Sequence, residues 1–236
     1  MTSSLRLAAI AAAALLLSGA ATAAEKRYGL TSFEAIEVGA DVDVEVVTRA
    51  PVSAVATGST DALDRLTLET RDGRLVIGEK KYAGDENRRT SPGPVTIRVN
   101  AANLRAATLA GAGALRIDRL RGARVTIGLR GPGRVSVDAI DADRLSVAMI
   151  GNGTMTLAGK AKQGQMTLSG AGVVDAGKLT VDDLVSDSEG AGDHILNAIR
   201  TAAVTTRGVG KTVVLGRPAC TVRNLGSGTV SCGQGK

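Results

Sequence analysis

Asp118 and Asp138 stand twenty residues apart, each seven residues past a Gly-x-Gly triplet. If the chain stacks with that period, their carboxylates come to roughly 5 Å, the separation of a nucleophile and acid/base pair in retaining glycoside hydrolases. Three features oppose that chemistry. The third position of the series is Ala158, and the aromatic residues that would grip sugars are nearly absent, with no Trp, two Tyr and one Phe. Nor does a long loop wall a cleft beside these residues. The spacing therefore favours solvated turn aspartates, with polysaccharide cleavage on a β-helix kept as the alternative activity.

Charge is segregated along the chain. Between Arg105 and Arg134 lie seven arginines and one acid, Asp118, whereas between Asp175 and Asp193 six acids face only Lys178. Arg116, Arg119, Arg121 and Arg124 are the candidate binding residues, a basic stripe suited to an anionic envelope polysaccharide or another cell-surface component. A solvated outer face accounts for the same residues. Nucleic acid is the weaker partner, because Tyr28, Phe33 and Tyr82 are the only aromatics and no base-stacking platform can be built. Basic and acidic segments could also meet head to tail, so a self-assembling structural protein of the envelope is the third reading.

The single histidine, His194, precludes a metal site with two histidines. A weak cation site with Glu189 and Asp193 is the most it could join. Either His194 follows Leu115 and Val135 in an inward column, or a one-residue shift puts Ile195 inside and His194 out. No nucleophile elbow surrounds Ser186 or Ser188, and no cofactor or metal motif is found. The chain is read as non-enzymatic.

What positions these residues is a repeat. The triplets Gly111-Ala112-Gly113, Gly131-Pro132-Gly133, Gly151-Asn152-Gly153, Gly170-Ala171-Gly172, Gly190-Ala191-Gly192, Gly208-Val209-Gly210 and Gly226-Ser227-Gly228 start 20, 20, 19, 20, 18 and 18 residues apart. After each comes an apolar pair two residues apart, as in Leu115/Ile117, Val135/Val137, Met155/Leu157 and, less cleanly, Val174/Ala176. Before the next lie Val125/Ile127/Leu129, Leu145/Val147/Met149 and Met166/Leu168, with Thr126, Ser136, Ser146, Thr156 and Thr167 between apolar positions. Period two is strand periodicity, and Leu120, Ile140, Leu179 and Ile199 add a mid-repeat apolar position. A unit this short cannot bury its own apolar side, so the spacing predicts an all-β solenoid of about 18–20 residues per turn whose coils pair at about 4.8 Å. The glycines are then structural corners. One Gly-x-Gly-x-x-Gly between strand and helix, the dinucleotide signature, is not what these copies offer.

Residues 1–24 read as a secretory signal: Arg6, the eleven apolar residues 7–17, then Ala21-Thr22-Ala23 as a cleavage site. Eleven is well short of the twenty or so that span a bilayer, and no second run is longer, so no transmembrane segment is expected. Ala20 stands where a lipoprotein would carry its acylated cysteine. The expectation is an exported chain, periplasmic or extracellular, soluble after cleavage. Residues 25–104 are a less regular β part with Arg71-Asp72-Gly73 as a tight turn and 80–94 as a polar surface loop. Residues 105–232 are the regular coils, and 233–236 a tail. In an exported chain two cysteines suggest one disulfide. Cys220 falls in the column of Val125 and Leu145, and Cys232 in that of Ile117, Val137 and Leu157, so the pair would clamp the last coil.

The runs Leu109-Ala110-Gly111-Ala112-Gly113, Leu168-Ser169-Gly170-Ala171-Gly172, Gly190-Ala191-Gly192-Asp193 and Leu225-Gly226-Ser227-Gly228 resemble the repeated pattern of the putative auto-transporter adhesin head, or GIN, domain family. Phe33-Glu34-Ala35-Ile36-Glu37-Val38 and Leu75-Val76-Ile77 resemble its N-terminal part, so the likeness spans roughly residues 30–232. The resemblance implies a single-domain right-handed parallel β-solenoid at the bacterial surface or in the periplasm, with an adhesin-like role. That family is catalogued as of unknown function, and no catalytic residue transfers from it.

Overall fold

The computed structural model describes residues 24–80 and 93–234. Nearly all of the expected signal segment, and most of the polar loop placed at 80–94, lie outside them. The fold is a β-solenoid of about six coils. Its first part comprises β1 (Ala24–Tyr28), β2 (Ala35–Val38), β3 (Asp43–Thr48), β4 (Ser53–Gly58), helix α1 (Thr60–Arg65), β5 (Leu66–Arg71), β6 (Arg74–Glu79) and β7 (Thr96–Ala101). The coils follow as β8 (Ala106–Ala110), β9 (Ala114–Ile117), β10 (Leu120–Arg130), β11 (Arg134–Gly151), β12 (Thr154–Gly170), β13 (Val173–Gly190) and β14 (His194–Gly208). The last elements are β15 (Lys211–Gly216), β16 (Ala219–Asn224) and β17 (Thr229–Gln234).

Each coil builds three walls. A first wall follows the glycine corner (114–117, then 134–137 and 154–157), a middle wall includes 120–122 and 140–142, and a last wall, 124–130 and 144–150, returns to the next corner. All strands from β8 to β17 pair in parallel. On the first wall Leu115, Val135, Met155, Val174, His194 and Thr212 lie in one register column. On the last wall Val125, Leu145, Gly164, Leu184, Ala202 and Cys220 form another. Alternation sends these side chains inward, and all but Cys220 are buried. Burial of each Val or Leu contributes about 1.5–3 kcal/mol, and no coil could achieve it without its neighbours.

The middle column runs Leu120, Ile140, Gly159, Leu179, but does not continue to Ile199. That side chain is 51% exposed. Ala198 pairs with Val181 and is buried instead, because the register shifts around Val181. At the first wall the alternative shift does not occur: His194 is 5% exposed and Ile195 43%.

The less regular N-terminal part completes the same walls out of chain order. Strand β2 lies between β6 and β8, and β3 between β7 and β9, all in parallel. Antiparallel strands then finish the stack, β4 and β1 beyond β7 and β5 beyond β6. Short α1, unanticipated from the sequence, joins β4 to β5. Ser59 Oγ caps it by accepting from Ala62 N at 3.2 Å, and Ala62 and Leu63 are buried. The β5–β6 turn places Asp72 at φ 50° and Gly73 at φ 68°, the double positive φ of a tight hairpin. At the opposite end Cys220 and Cys232 are bonded, with their Cα atoms 6.3 Å apart. They stand beneath Ala202 and Val214, and Cys220 is exposed because its inward column ends there.

The corners explain the glycines. Gly170 has φ +118°, and a Cβ there would lie 2.2 Å from the Gly151 carbonyl oxygen in the coil above. The adjacent Ala171 and Gly172 donate their N–H groups to that oxygen, each at 3.1 Å. Gly170→Ala is expected to lower the unfolding free energy by about 3 kcal/mol, since it combines a disfavoured φ with a backbone clash. Gly29→Ala, whose new methyl group would have nothing within 4 Å, should leave it unchanged. Denaturant unfolding of both variants checks this.

Candidate functional site

Where the middle wall turns into the last wall, a groove of about 700 Å³ runs along the solenoid axis. Stacking in register builds it. Arg124, Arg144, Gln163 and Asp183 follow one another as partners in successive coils. Beside them Thr126, Ser146, Gln165 and Val185 form a second ladder. Both point outward because their neighbours Val125, Leu145, Gly164 and Leu184 occupy the inward column. Steps between coils are about 4.8 Å.

The groove is electrostatically uneven. Arg124 has no ion-pair partner among the described residues, and Arg144 donates from Nε to Gln163 Oε1 at 3.3 Å. Asp183, by contrast, is engaged: it forms an ion pair with Arg200 and accepts from Thr201 Oγ1 at 2.9 Å. Net positive charge is therefore concentrated at the Arg124–Arg144 end.

Of the four arginines singled out in the sequence, only Arg124 lines this groove. Arg116 projects from β9 on the first wall, in register with Glu45 and Ser136. Arg119 is half-buried in the bend between β9 and β10. Arg121, on the middle wall, pairs with Asp141 at 3.6 Å. Within nine residues the chain passes through two bends, so a run that is contiguous in sequence is spread around the solenoid. Sequence reasoning misses Arg144, Gln163 and Gln165, although a signal is present. Arg124, Arg144, Gln163 and Asp183 each lie seven residues before a corner glycine.

Asp118 serves the fold. Its Oδ1 accepts from Thr48 N at 2.9 Å and its Oδ2 from Thr48 Oγ1 at 3.1 Å, so both oxygens tie the coil to β3. Asp138 is exposed beside the register shift that follows Val137. His194 and Asp193 do not converge on a cation, for the imidazole is inside while Asp193 Oδ1 accepts from Lys211 N at 2.9 Å. Around His194 the interior turns polar. Ser188, Thr206 and Thr212 line the same small cavity, Glu189 and Arg207 border it, and Nδ1 of the ring is buried without a hydrogen-bond partner. Burial pushes the imidazole pKa down, opposed in part by the Asp193 carboxylate.

A family model described as "Putative auto-transporter adhesin, head GIN domain" matches residues 32–218. A crystal structure of a putative adhesin from Bacteroides fragilis superposes with a TM-score of 0.79 at 21% identity, covering 89% of this chain and 97% of that one. A putative lipid binding protein from Parabacteroides distasonis gives 0.72 at 18% identity, over 92% and 98%. A putative adhesin from Parabacteroides merdae gives 0.68 at 17%, over 90% and 97%. At these identities the structures share the fold. No curated protein matches the sequence.

His194 generates a pH prediction. A buried neutral imidazole takes up its proton at lower pH in the folded state than in the unfolded chain, where the ordinary value is 6.5. The unfolded state therefore binds more protons as pH falls below that value, and stability falls with it. The melting temperature should be lower at pH 5 than at pH 7.5. As this is the only histidine, His194→Val, matching Val174 above it, should flatten that interval. An equal pH dependence in wild type and variant would contradict the assignment.

Proposed function

For this chain, which belongs to the putative auto-transporter adhesin head (GIN) domain family, we propose a non-catalytic, adhesin-like function: contact with extended envelope polymers or neighbouring cells along its outer walls. The observation that carries this reading is the axial groove, an open channel of about 700 Å³ in which polar side chains, with Leu145 and Val185 among them, are stacked in register from coil to coil. Such a surface matches a ligand that extends along the solenoid, and many weak contacts suit adhesion better than turnover.

The disposition of acids and histidine supports a non-catalytic role. Asp118 is tied to Thr48, the groove's Asp183 is held by Arg200 and Thr201, and His194 is enclosed in the interior. We further propose export to the periplasm or cell exterior and right-handed winding. The 7–17 apolar run followed by a small-residue cleavage site favours export, the bonded cysteines suit an oxidising compartment, and right-handed crossovers are the general preference of parallel strands.

On a glycan array the purified chain is expected to retain extended polymers, and a parallel reducing-sugar assay should detect no new chain ends. Sugar release from a bound polymer, or an array without signal, would overturn the reading.

A further inference from the structure

We propose that the Arg124–Arg144 end of the groove is a binding subsite for acidic polysaccharide, with a ligand carboxylate seated between the two guanidinium groups. This deepens the adhesive reading above and rests on it.

Elsewhere the solenoid alternates its charges. In the parallel ladders of the described residues, charged partners in register are otherwise of opposite sign. Glu45 lies between Arg98 and Arg116, Asp141 between Arg121 and Lys160, and Glu189 beside Arg207. Several of these close as ion pairs, Arg98–Glu45 at 3.1 Å and Arg121–Asp141 at 3.6 Å. Arg124 and Arg144 break the rule, being like charges in register on neighbouring coils. Directly opposed like charges disfavour a ladder, and neither arginine forms an ion pair among the described residues.

An anion between them would restore the alternation seen on the other walls. Guanidinium groups suit a carboxylate because their planar donors match its two oxygens. Gln163 and Gln165, one coil further along, offer amide donors and acceptors to sugar hydroxyls. Asp183 does not repel the ligand strongly, because Arg200 and Thr201 already engage it. The groove has no aromatic side chain in its lining, so stacked nucleobases find no platform. Its volume of about 700 Å³ lies within the size range of ligand-binding clefts.

The test is retention of the full chain on immobilised polygalacturonate, on its methyl ester and on polyphosphate. Wild type should bind polygalacturonate, lose it as salt rises, and ignore the uncharged ester. Arg124→Gln/Arg144→Gln should weaken binding about tenfold, as expected for losing charge-assisted contacts at a partly exposed site. Arg217→Gln/Arg223→Gln, exposed near the last coil and outside the groove, should not. Unfolding curves confirm that each variant is folded, and Arg124→Gln alone carries the test if the double variant is not. Wild-type retention by the groove variant overturns the subsite. So does equal retention on the ester, and the adhesive reading survives either result. Preference for polyphosphate replaces the sugar acid with a phosphate polymer and overturns the proposal too. No retention of wild type on polygalacturonate overturns the subsite, and a silent glycan array removes the adhesive reading as well.

Discussion

The approach of one glycine corner to the next is the constraint on which the rest of the structure depends. At Gly153 a Cβ would lie 2.4 Å from the Gly133 carbonyl oxygen, a distance no side chain survives. Because the corners superpose, each coil begins its first wall in phase with the coil above. Phase at the corner fixes the register of the walls, and register decides which side chains share a column. A single inward apolar residue per coil would gain little alone. Columns of them, such as Leu115, Val135, Met155 and Val174, make a continuous core from units too short to possess one.

The same phase lock acts on the outer surface, where it has an electrostatic cost. Side chains of adjacent coils are held one strand spacing apart whether or not they suit each other. On most ladders the solution is alternation, as in Arg121, Asp141 and Lys160. Elsewhere carboxylates brace the backbone, Asp41 Oδ1 accepting from Ala112 N at 2.7 Å and Asp118 gripping Thr48. Departures from alternation therefore carry information that a list of surface charges lacks. The paired arginines of the groove are such a departure, visible only once register is known.

Periodicity made the coils legible in the sequence because it is a local signal repeated many times. The glycine corners, the inward columns and the closeness of Cys220 and Cys232 follow from counting residues, although Cys220, expected inward, lies exposed where its column ends. Counting fails where the chain bends between walls. Arg116, Arg119, Arg121 and Arg124 are neighbours in sequence, yet the bends after Ile117 and Gly122 send them in different directions, while Arg124 and Arg144 meet across a full coil. Ile199 shows a related failure: the register shifts around Val181, and Ala198, paired with Val181, is buried while Ile199 is exposed. The N-terminal order was illegible for another reason. Pairing of β2 and β3 between later strands is a long-range choice, and no repeat announces it.

Inside the corner the core changes character along the axis. The buried positions flanking it run from Leu129 and Val135 through Met149 and Met155 to Leu168 and Val174, then to Ser188 and His194, and on to Thr206 and Thr212. Each replacement of an apolar pair by hydroxyl or imidazole subtracts hydrophobic stabilisation and adds polar groups that must find partners inside. Thr206 succeeds, with its Oγ1 at 3.0 Å from Asn224 Oδ1, whereas Ser186 Oγ and His194 Nδ1 do not. The two ends of the solenoid are thus secured by different means. Antiparallel strands and a capped helix close the apolar end with noncovalent contacts. At the polar end, where apolar columns are giving out, Cys220 and Cys232 continue two of them and join the last wall to the first by a covalent bond. Such a link stabilises mainly by restricting the unfolded chain, a contribution independent of how apolar the adjoining core is, and so it acts where packing alone contributes least.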